Sequence, residues 1–413
     1  MHMKKKASAA KTRKSVLDPI DRVLRQIASG GMVVVVDDEG RENEGDLVCA
    51  TDKVTPDIIN FMATRGRGLI CVSLNEDRLA ALAIQRMPSN ARPGQKFNTA
   101  FMEAVDFRTG TSTGISAADR AATARALIDP KAGPSDFSKP GHVFPIQANP
   151  LGVLGRPGHT EASLDLARLA GRAPSGVICE ILKDDGSMAR LPDLVRFARR
   201  HDLPITSVAA IHAHRLATEN LLDFEREVRM PTRAGIFKLR AYRSRIDNSM
   251  HLALVMGRPS AKTPVLVRVH SECLTGDVFG SQRCDCGEQL HWAMDEVARA
   301  GSGVILYMRQ EGRGIGLGGK LHAYALQDRG MDTVQANLHL GFAADDRDYT
   351  LCSHILRDLG LRDIRLMTNN PRKLEGLEQN GIRVVERVPV KVAPNPHNQK
   401  YLAVKKAKLG HLL

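Results

Sequence analysis

The sequence predicts a mixed α/β (α+β) protein of two domains, on three observations. A chain of 413 residues is longer than one hydrophobic core usually serves, since domains hold roughly 150 residues each. Apolar strand-like runs alternate with helix-period segments through both halves. A charged stretch near residue 220, broken by PTRAG at 231–235, interrupts that alternation and marks the boundary. The predicted divisions are a basic disordered tail over 1–15, a first domain over 16–220 and a second over 221–413. No internal repeat relates the halves.

Asp18-Pro19 reads as a helix N-cap with proline at the first helical position. Val16, Leu17, Ile20, Val23, Leu24 and Ile27 keep helical spacing, so an amphipathic helix is expected, ended by Gly30-Gly31. MVVVV at 32–36 is a buried strand by β-branching and length. KAGPSDFSKPG at 131–141 reads as a long loop, a class that is often functional. GVI at 176–178 and VILYM at 304–308 are strands. The stretch 215–230 has helical, charged character.

Hydrophobic residues at 43% and charged residues at 25% suit a folded globular chain and exclude wholesale disorder or a collagen-like class. Seven cysteines are too few, and odd in number, for a disulfide framework. No signal-like apolar segment and no membrane-length apolar run is present, so a reducing, cytoplasmic setting without a membrane span is expected. Aromatics are 4%, with Trp292 the single tryptophan, which argues against base stacking and a nucleic-acid partner. The net charge is +13. Lys4, Lys5, Lys6, Lys11, Arg13 and Lys14 place part of it in the tail, a solubilising extension or a nucleic-acid arm. The rest suits small anionic substrates such as sugar phosphates or nucleotides.

Residues 37–46 read DDEGRENEGD. If this run stays extended, Glu42, Glu44 and Asp46 share a face. Crowded carboxylates repel unless a cation or proton is shared among them, and hard oxygen donors favour Mg²⁺. Arg41 would hold a phosphate or pair with the acids; a solvated acidic turn is the plain alternative. PGHVFP at 140–145 carries His142, RPGHT at 156–160 carries Arg156, Pro157, Gly158, His159 and Thr160, and the 176–178 strand runs into Cys179-Glu180. Spacing alone does not bring these groups together.

With STGISAADR, PGHVFP, RPGHTEA and CEI beside the acidic run, residues 19 to about 216 resemble the 3,4-dihydroxy-2-butanone 4-phosphate synthase family. That resemblance implies an α/β sandwich which converts ribulose 5-phosphate to dihydroxybutanone phosphate and formate with Mg²⁺ (or Mn²⁺). It implies Glu42 and His159 as metal ligands and His142 and Glu180 as catalytic residues. Substrate contacts would come from Arg41, Glu42, Asp46, Arg156, Pro157, Gly158, His159, Thr160 and Glu180, with Cys71 lining the site and Thr113 adjacent. Met102 and Ser112 stand where the family usually has threonine.

Residues 268–287 read RVHSECLTGDVFGSQRCDCG. Cys273, Cys284 and Cys286 form C-x10-C-x-C, and thiolates select Zn²⁺. No fourth cysteine stands at partner spacing, and an open position marks catalytic rather than structural zinc. A structural zinc completed by His270 or a distant ligand is the alternative. Cys49, Cys71, Cys179 and Cys352 sit in apolar context and read as small buried residues. Gly314, Gly316 and Gly319 fit G-x-G-x-x-G, and Gly314, Gly319 and Lys320 fit G-x-x-x-x-G-K. Leu321 stands where a P-loop needs Ser or Thr, and no acid-ended second strand is clear, so neither nucleotide loop is expected.

RQEGRGIGL, AYALQDRG, DTVQAN, GFAADDRDY, TNNPRK and ERVPV complete a resemblance of residues 227–413 to GTP cyclohydrolase II. It implies an α+β domain in which Cys273, Cys284 and Cys286 bind Zn²⁺. GTP contacts would come from Arg268, Val269, His270, Ser271, Glu272, Gln289, Glu311, Gly312, Arg313, Thr333, Thr368 and Lys373. Asp345 would be the proton acceptor, Arg347 the nucleophile and Tyr324 catalytically important. The implied chemistry opens the guanine imidazole ring at C8 with zinc-acidified water, releasing formate and pyrophosphate. A guanidinium stays protonated, so a phosphate clamp competes with the nucleophile role of Arg347. Gly318-Gly319 replaces a bulkier pair. Together the halves imply a bifunctional riboflavin-biosynthesis fusion, forming a homodimer. Two other readings stay open: one half as a structural remnant, and a non-enzymatic nucleotide-binding regulator.

Overall fold

A computed structural model describes residues 16–88, 99–342 and 347–412. The expected tail over 1–15 and Asp345 lie outside the described residues. The chain divides into two compact units, Met1–Arg215 and Leu216–Leu413.

The first unit holds a seven-stranded mixed sheet. Its strands are β1 (Val33–Val36), β2 (Gly45–Ala50), β3 (Cys71–Leu74), β4 (Val105–Phe107), β5 (Phe137–Gln147), β6 (Gly176–Glu180) and β7 (Ile205–Ser207), in the order β4-β5-β3-β6-β2-β1-β7. Successive strand side chains point to opposite faces, so the four valines of β1 need apolar cover on both sides. Val33 and Val35 enter a core layer with Val23, Ile27 and Leu166, from the helices Ile20–Ala28 and His159–Leu169. Val34 and Val36 enter the opposite layer with Ile59, Leu127 and Leu194. Helices therefore cover both faces of the sheet, the sandwich expected from the resemblance.

Two local expectations change. Asp18 does not cap the first helix. Pro19 holds that position, and the Asp18 carboxylate accepts from Ile205 N at 2.9 Å and from Arg22 at 2.8 Å. The long loop at 131–141 is half strand: a short 3-10 turn, Pro134–Asp136, leads into β5. Phe137, Val143 and Ile146 are buried, but the Ser, Lys, Pro and Gly between them disguise the strand.

The second unit has its own seven strands: β8 (Leu222–Thr232), β9 (Gly235–Ser244), β10 (Met250–Met256), β11 (Val265–Ser271), β12 (Gly303–Met308), β13 (Asp363–Met367) and β14 (Arg383–Val388). Their order is β14-β13-β11-β12-β10-β9-β8, an antiparallel meander joined to four mutually parallel strands. Ala293 and Val297 of the helix Cys286–Ala300 pack on Leu266 and Ile305. Cys352, Ile355 and Leu377 cover Val267, Val304 and Leu306 on the other face.

The charged stretch at 215–230 is helical only as far as Thr218. The preceding helix ends at Thr218 and β8 begins at Leu222. Charges that mimic a solvated helix face pair across strands instead: Asp223 with Arg245 at 3.0 Å, Glu227 with Lys238 at 2.9 Å, and Glu225 with Arg243. Opposite charges facing each other across an antiparallel pair stabilise it modestly. PTRAG is the hairpin turn between β8 and β9, with Thr232 paired to Gly235. Among the described residues, no helix is long and apolar enough to cross a membrane. Cys49, Cys71, Cys179 and Cys352 are buried, as expected.

Candidate active sites

In the first unit, strand register gathers the predicted residues at one end of the sheet. Asp46 pairs with Glu180 across β2 and β6. Cys71 pairs with Ile178 of β6 and with Phe144 of β5. His142, two residues before Phe144, therefore lies at the same end as Glu180, two residues after Ile178. The Glu180 carboxylate accepts from Leu69 N at 2.8 Å, just ahead of β3.

The acidic run does not stay extended. Asp37 accepts from Glu42 N at 3.2 Å and Glu44 N at 2.8 Å, folding 37–44 into a turn before β2. Arg190 clamps the turn from outside, donating to Glu42 O at 2.8 Å and to Asn43 O. The expected face of Glu42, Glu44 and Asp46 is thus replaced by a different set. Ligand atoms of Asp37, Glu42 and His159 all lie within 4.8 Å of one another. His159 Nδ1 is 3.9 Å from Glu42 and 3.8 Å from Asp46. His159 Nε2 and Asp46 Oδ1 are buried without a hydrogen-bond partner among the described residues. Burial drives the His159 imidazole down to about 4, so it is neutral, the form that ligates metal. Burial and the surrounding carboxylates of Glu180, Glu44, Glu42 and Asp37 push Asp46 well above the usual carboxylate range. Such a cluster is relieved by a shared cation.

Next to this set lie two arginines, each held by a carboxylate. Arg41 pairs with Asp37 at 2.8 Å, and Arg156 with Glu161 at 2.8 Å. A Cβ on Gly158 would fall 2.6 Å from Arg156 Nη1 and 2.9 Å from Arg41 Nη2, so a larger residue there would push the guanidinium ends aside. Pro157 precedes it. The turn opens the helix His159–Leu169, whose N-terminus adds backbone donors; Thr160 is buried there.

His142 Nδ1 lies 2.7 Å from Asp106 Oδ2, and His142 N donates to Asp106 Oδ1 at 2.8 Å. Asp106 escapes sequence reasoning because 36 residues separate the pair and only the β4–β5 ladder joins them. Thr113 is exposed, beside Gly114, whose added Cβ would lie 2.1 Å from Asp106 Oδ2. Cys71 is 1% exposed in the core, and burial raises its thiol. Met102 is also in the core, and Ser112 keeps a hydroxyl that donates to Asp119 at 2.7 Å.

In the second unit, Cys273, Cys284 and Cys286 place their sulfurs within 4.8 Å of one another, with Cys273 and Cys284 3.6 Å apart. A Cβ on Gly276 would lie 2.9 Å from the Cys284 sulfur and 3.2 Å from that of Cys273. Hydrogen bonds from the other two thiols, and the Lys320 ammonium at 3.1 Å, hold the Cys273 thiol far below its usual range. Lys320, the lysine of the P-loop look-alike, also contacts Glu311 at 2.8 Å and Thr275 at 2.9 Å. It serves the thiol cluster, an outcome no spacing rule signals.

A cavity adjoins these thiols. Arg268, His270, Ser271, Glu272, Gln289, Glu311, Gly312, Arg313, Tyr324, Thr333, Arg347, Thr368 and Lys373 all line it. Val269 is the exception: its side chain is in the core, and its carbonyl accepts from Lys373 Nζ at 2.7 Å. Arg268 spans Met367 O at 2.9 Å and Gln289 at 2.6 Å, and burial lowers its guanidinium to about 10. His270 Nε2 is 3.1 Å from both oxygens of Asp277. That carboxylate also accepts from Cys273 N at 3.0 Å and Tyr307 at 2.9 Å, tying the pocket wall to the thiol loop. Gly312 and Arg313 have left-handed φ of 62° and 67°, a strained turn that delivers Glu311 to Leu274 N at 2.6 Å.

The family model of 3,4-dihydroxy-2-butanone 4-phosphate synthase matches residues 21–214, and that of GTP cyclohydrolase II matches 223–389. The chain is 54% identical over 397 residues to the riboflavin biosynthesis protein RibBA of Aquifex aeolicus, covering 95% of this chain and 97% of the relative. It belongs to this bifunctional riboflavin-biosynthesis family. The Bacillus subtilis RibBA is 50% identical over 396 residues, 96% of this chain and 99% of that one. A crystal structure of a two-domain 3,4-dihydroxy-2-butanone 4-phosphate synthase from A. baumannii is similar at TM-score 0.66 and 34% identity, over 91% of this chain and 100% of that one. As a member of the bifunctional family, the protein is an enzyme with dihydroxybutanone phosphate synthase and GTP cyclohydrolase II activities, acting in riboflavin biosynthesis.

Proposed function

We propose that the first unit acts on ribulose 5-phosphate with Mg²⁺ (or Mn²⁺), and that the second hydrolyses GTP with Zn²⁺. One observation carries the metal assignment. The described residues hold two metal-capable groups of contrasting chemistry, oxygen and imidazole in one unit and three thiols in the other. Hard donors suit Mg²⁺ and thiolates suit Zn²⁺. The orphaned atoms of His159 and Asp46 and the glycine floor beneath the sulfurs fit those ions.

When bound, the magnesium would stabilise charge on the sugar's enediol, and the zinc would acidify water. The chain's own residues do the rest. Arg41, Arg156 and the N-terminus of the His159–Leu169 helix hold the phosphate. His142, oriented by Asp106, and Glu180 move protons during enolisation and rearrangement. In the second unit, Arg268 and Gln289 position the nucleotide, and Arg347 and Lys373 stabilise the departing pyrophosphate. Arg347 acts as a phosphate clamp, since its guanidinium stays charged. The chain works as a homodimer in the cytoplasm.

The test is one reaction containing Mg²⁺, unlabelled ribulose 5-phosphate and GTP carrying ¹³C at C8, with the formate weighed by mass spectrometry. Light and heavy formate together are expected. Absence of light formate overturns the sugar-phosphate assignment, and absence of heavy formate the guanine-opening one.

A further inference from the structure

The GTP cyclohydrolase II model ends at residue 389, but the cavity does not. Tyr401, Lys405 and His411 line it too. They belong to a C-terminal segment formed by the helix Gln399–Leu409 and the turn after it. Gly410, with φ of 66°, ends the helix and lets the chain bend.

Three attachments hold the segment around the cavity. Lys405 Nζ bonds Asp285 Oδ1 at 2.8 Å; both side chains are nearly inaccessible, at 10% and 5% exposure. Asp285 sits between Cys284 and Cys286 and also accepts from Gln289 at 2.5 Å. Lys408 pairs with Asp332, the N-cap of the helix Thr333–His339. Leu412 N donates to Asn369 O at 2.9 Å, next to Thr368. Each anchor thus neighbours a residue of the nucleotide pocket. The Tyr401 ring has two cations close by, Lys405 Nζ 4.4 Å and the Arg313 guanidinium 6.0 Å from its centroid. Lys405, Arg313, Arg347 and Lys373 line the same cavity as His411. With the acids Glu272 and Glu311 outnumbered by arginines and lysines in the lining, the concavity is net positive, which selects a multiply charged anion.

We propose that residues 399–412 are a working part of the GTP site. Lys405 is a positioning residue that fixes the segment on Asp285, and His411 contacts the triphosphate rather than the base. The inference rests on GTP occupying this cavity, as proposed above.

The test uses the full chain with His411→Ala, Lys405→Gln and Lys405→Arg. The readouts are kcat and KM for GTP, affinities for a non-hydrolysable GTP analogue and for guanosine, zinc per chain, and ribulose 5-phosphate turnover. Loss of one hydrogen bond to a charged group corresponds to about tenfold in affinity. His411→Ala should therefore raise GTP KM and weaken analogue binding by about tenfold, leaving guanosine affinity, zinc content and sugar-phosphate turnover unchanged. Lys405→Gln should match it, and Lys405→Arg should recover most of the loss. Unchanged GTP affinity in His411→Ala overturns the inference, as does an equal loss for guanosine and GTP. Lys373→Ala, run alongside, separates the two failures: if it too leaves GTP affinity intact, GTP does not occupy this cavity.

Discussion

Gly276 shows how little a metal-capable site tolerates. One methyl added at its α-carbon would meet the sulfurs of Cys284 and Cys273 at 2.9 and 3.2 Å and the Cβ of Cys286 at 3.2 Å. Gly276→Ala should therefore displace the thiols, cutting zinc retention against a chelator and GTP turnover by at least about tenfold, a loss of roughly 1.4 kcal/mol or more. Full zinc content with normal turnover would show the sulfurs free to move. Asp106 is the corresponding residue of the first unit. Its carboxylate fixes both the ring and the backbone N–H of His142. Asp106→Asn should lower synthase kcat by about 10²–10⁴, the usual worth of a positioned acid–base group, with little change in KM. A mainly raised KM would instead make Asp106 part of substrate binding.

Among the elements, β8 is the one that misleads. Its eleven residues carry acids and bases at intervals that read as a helix surface, yet they pair across to β9. Those pairs are exposed, so solvent screening leaves each a minor contribution. What holds the strand is the hydrogen-bonded ladder and Leu222 in the core. The C-terminal segment carries the pH prediction. Burial, reinforced by Lys405, Arg347, Lys373 and Arg313, drives the His411 imidazole down to about 3. Above pH 6.5 the imidazole is neutral folded or unfolded and contributes nothing to pH dependence. As pH falls from 6.5 toward 3, the unfolded segment takes a proton that the folded one refuses, so docking weakens. Protease cleavage within 399–412 should thus quicken between pH 7 and 5, and His411→Asn should flatten that rise. A pH-independent rate in the parent protein would contradict the half-buried, neutral imidazole.

At the scale of the molecule, the two units carry separate cores and separate ligand sets, so their chemistries should fail separately. Cys284→Ser should lose zinc and GTP turnover and keep sugar-phosphate turnover; His159→Ala should do the reverse. Parallel measurement of both formate-releasing reactions checks this, and loss of both activities from either substitution would break the two-site description.

The sequence by itself determined the family, the mixed α/β class, the β1 valines and the thiol triad, because each is written in a short contiguous pattern. Local chemistry suffices there: a C-x-C loop, a β-branched run, a Gly-His turn. The tertiary structure alone decided which groups meet. It exchanged the expected face of Glu42, Glu44 and Asp46 for Asp37, Glu42 and His159, since one carboxylate accepting two backbone N–H groups folds the acidic run back on itself. It joined Asp106 to His142, Lys320 to Cys273, and His411 to the cavity beside the thiols. Those contacts depend on strand register and helix docking, set by cores of residues far apart in the chain, and no pattern within one segment encodes them.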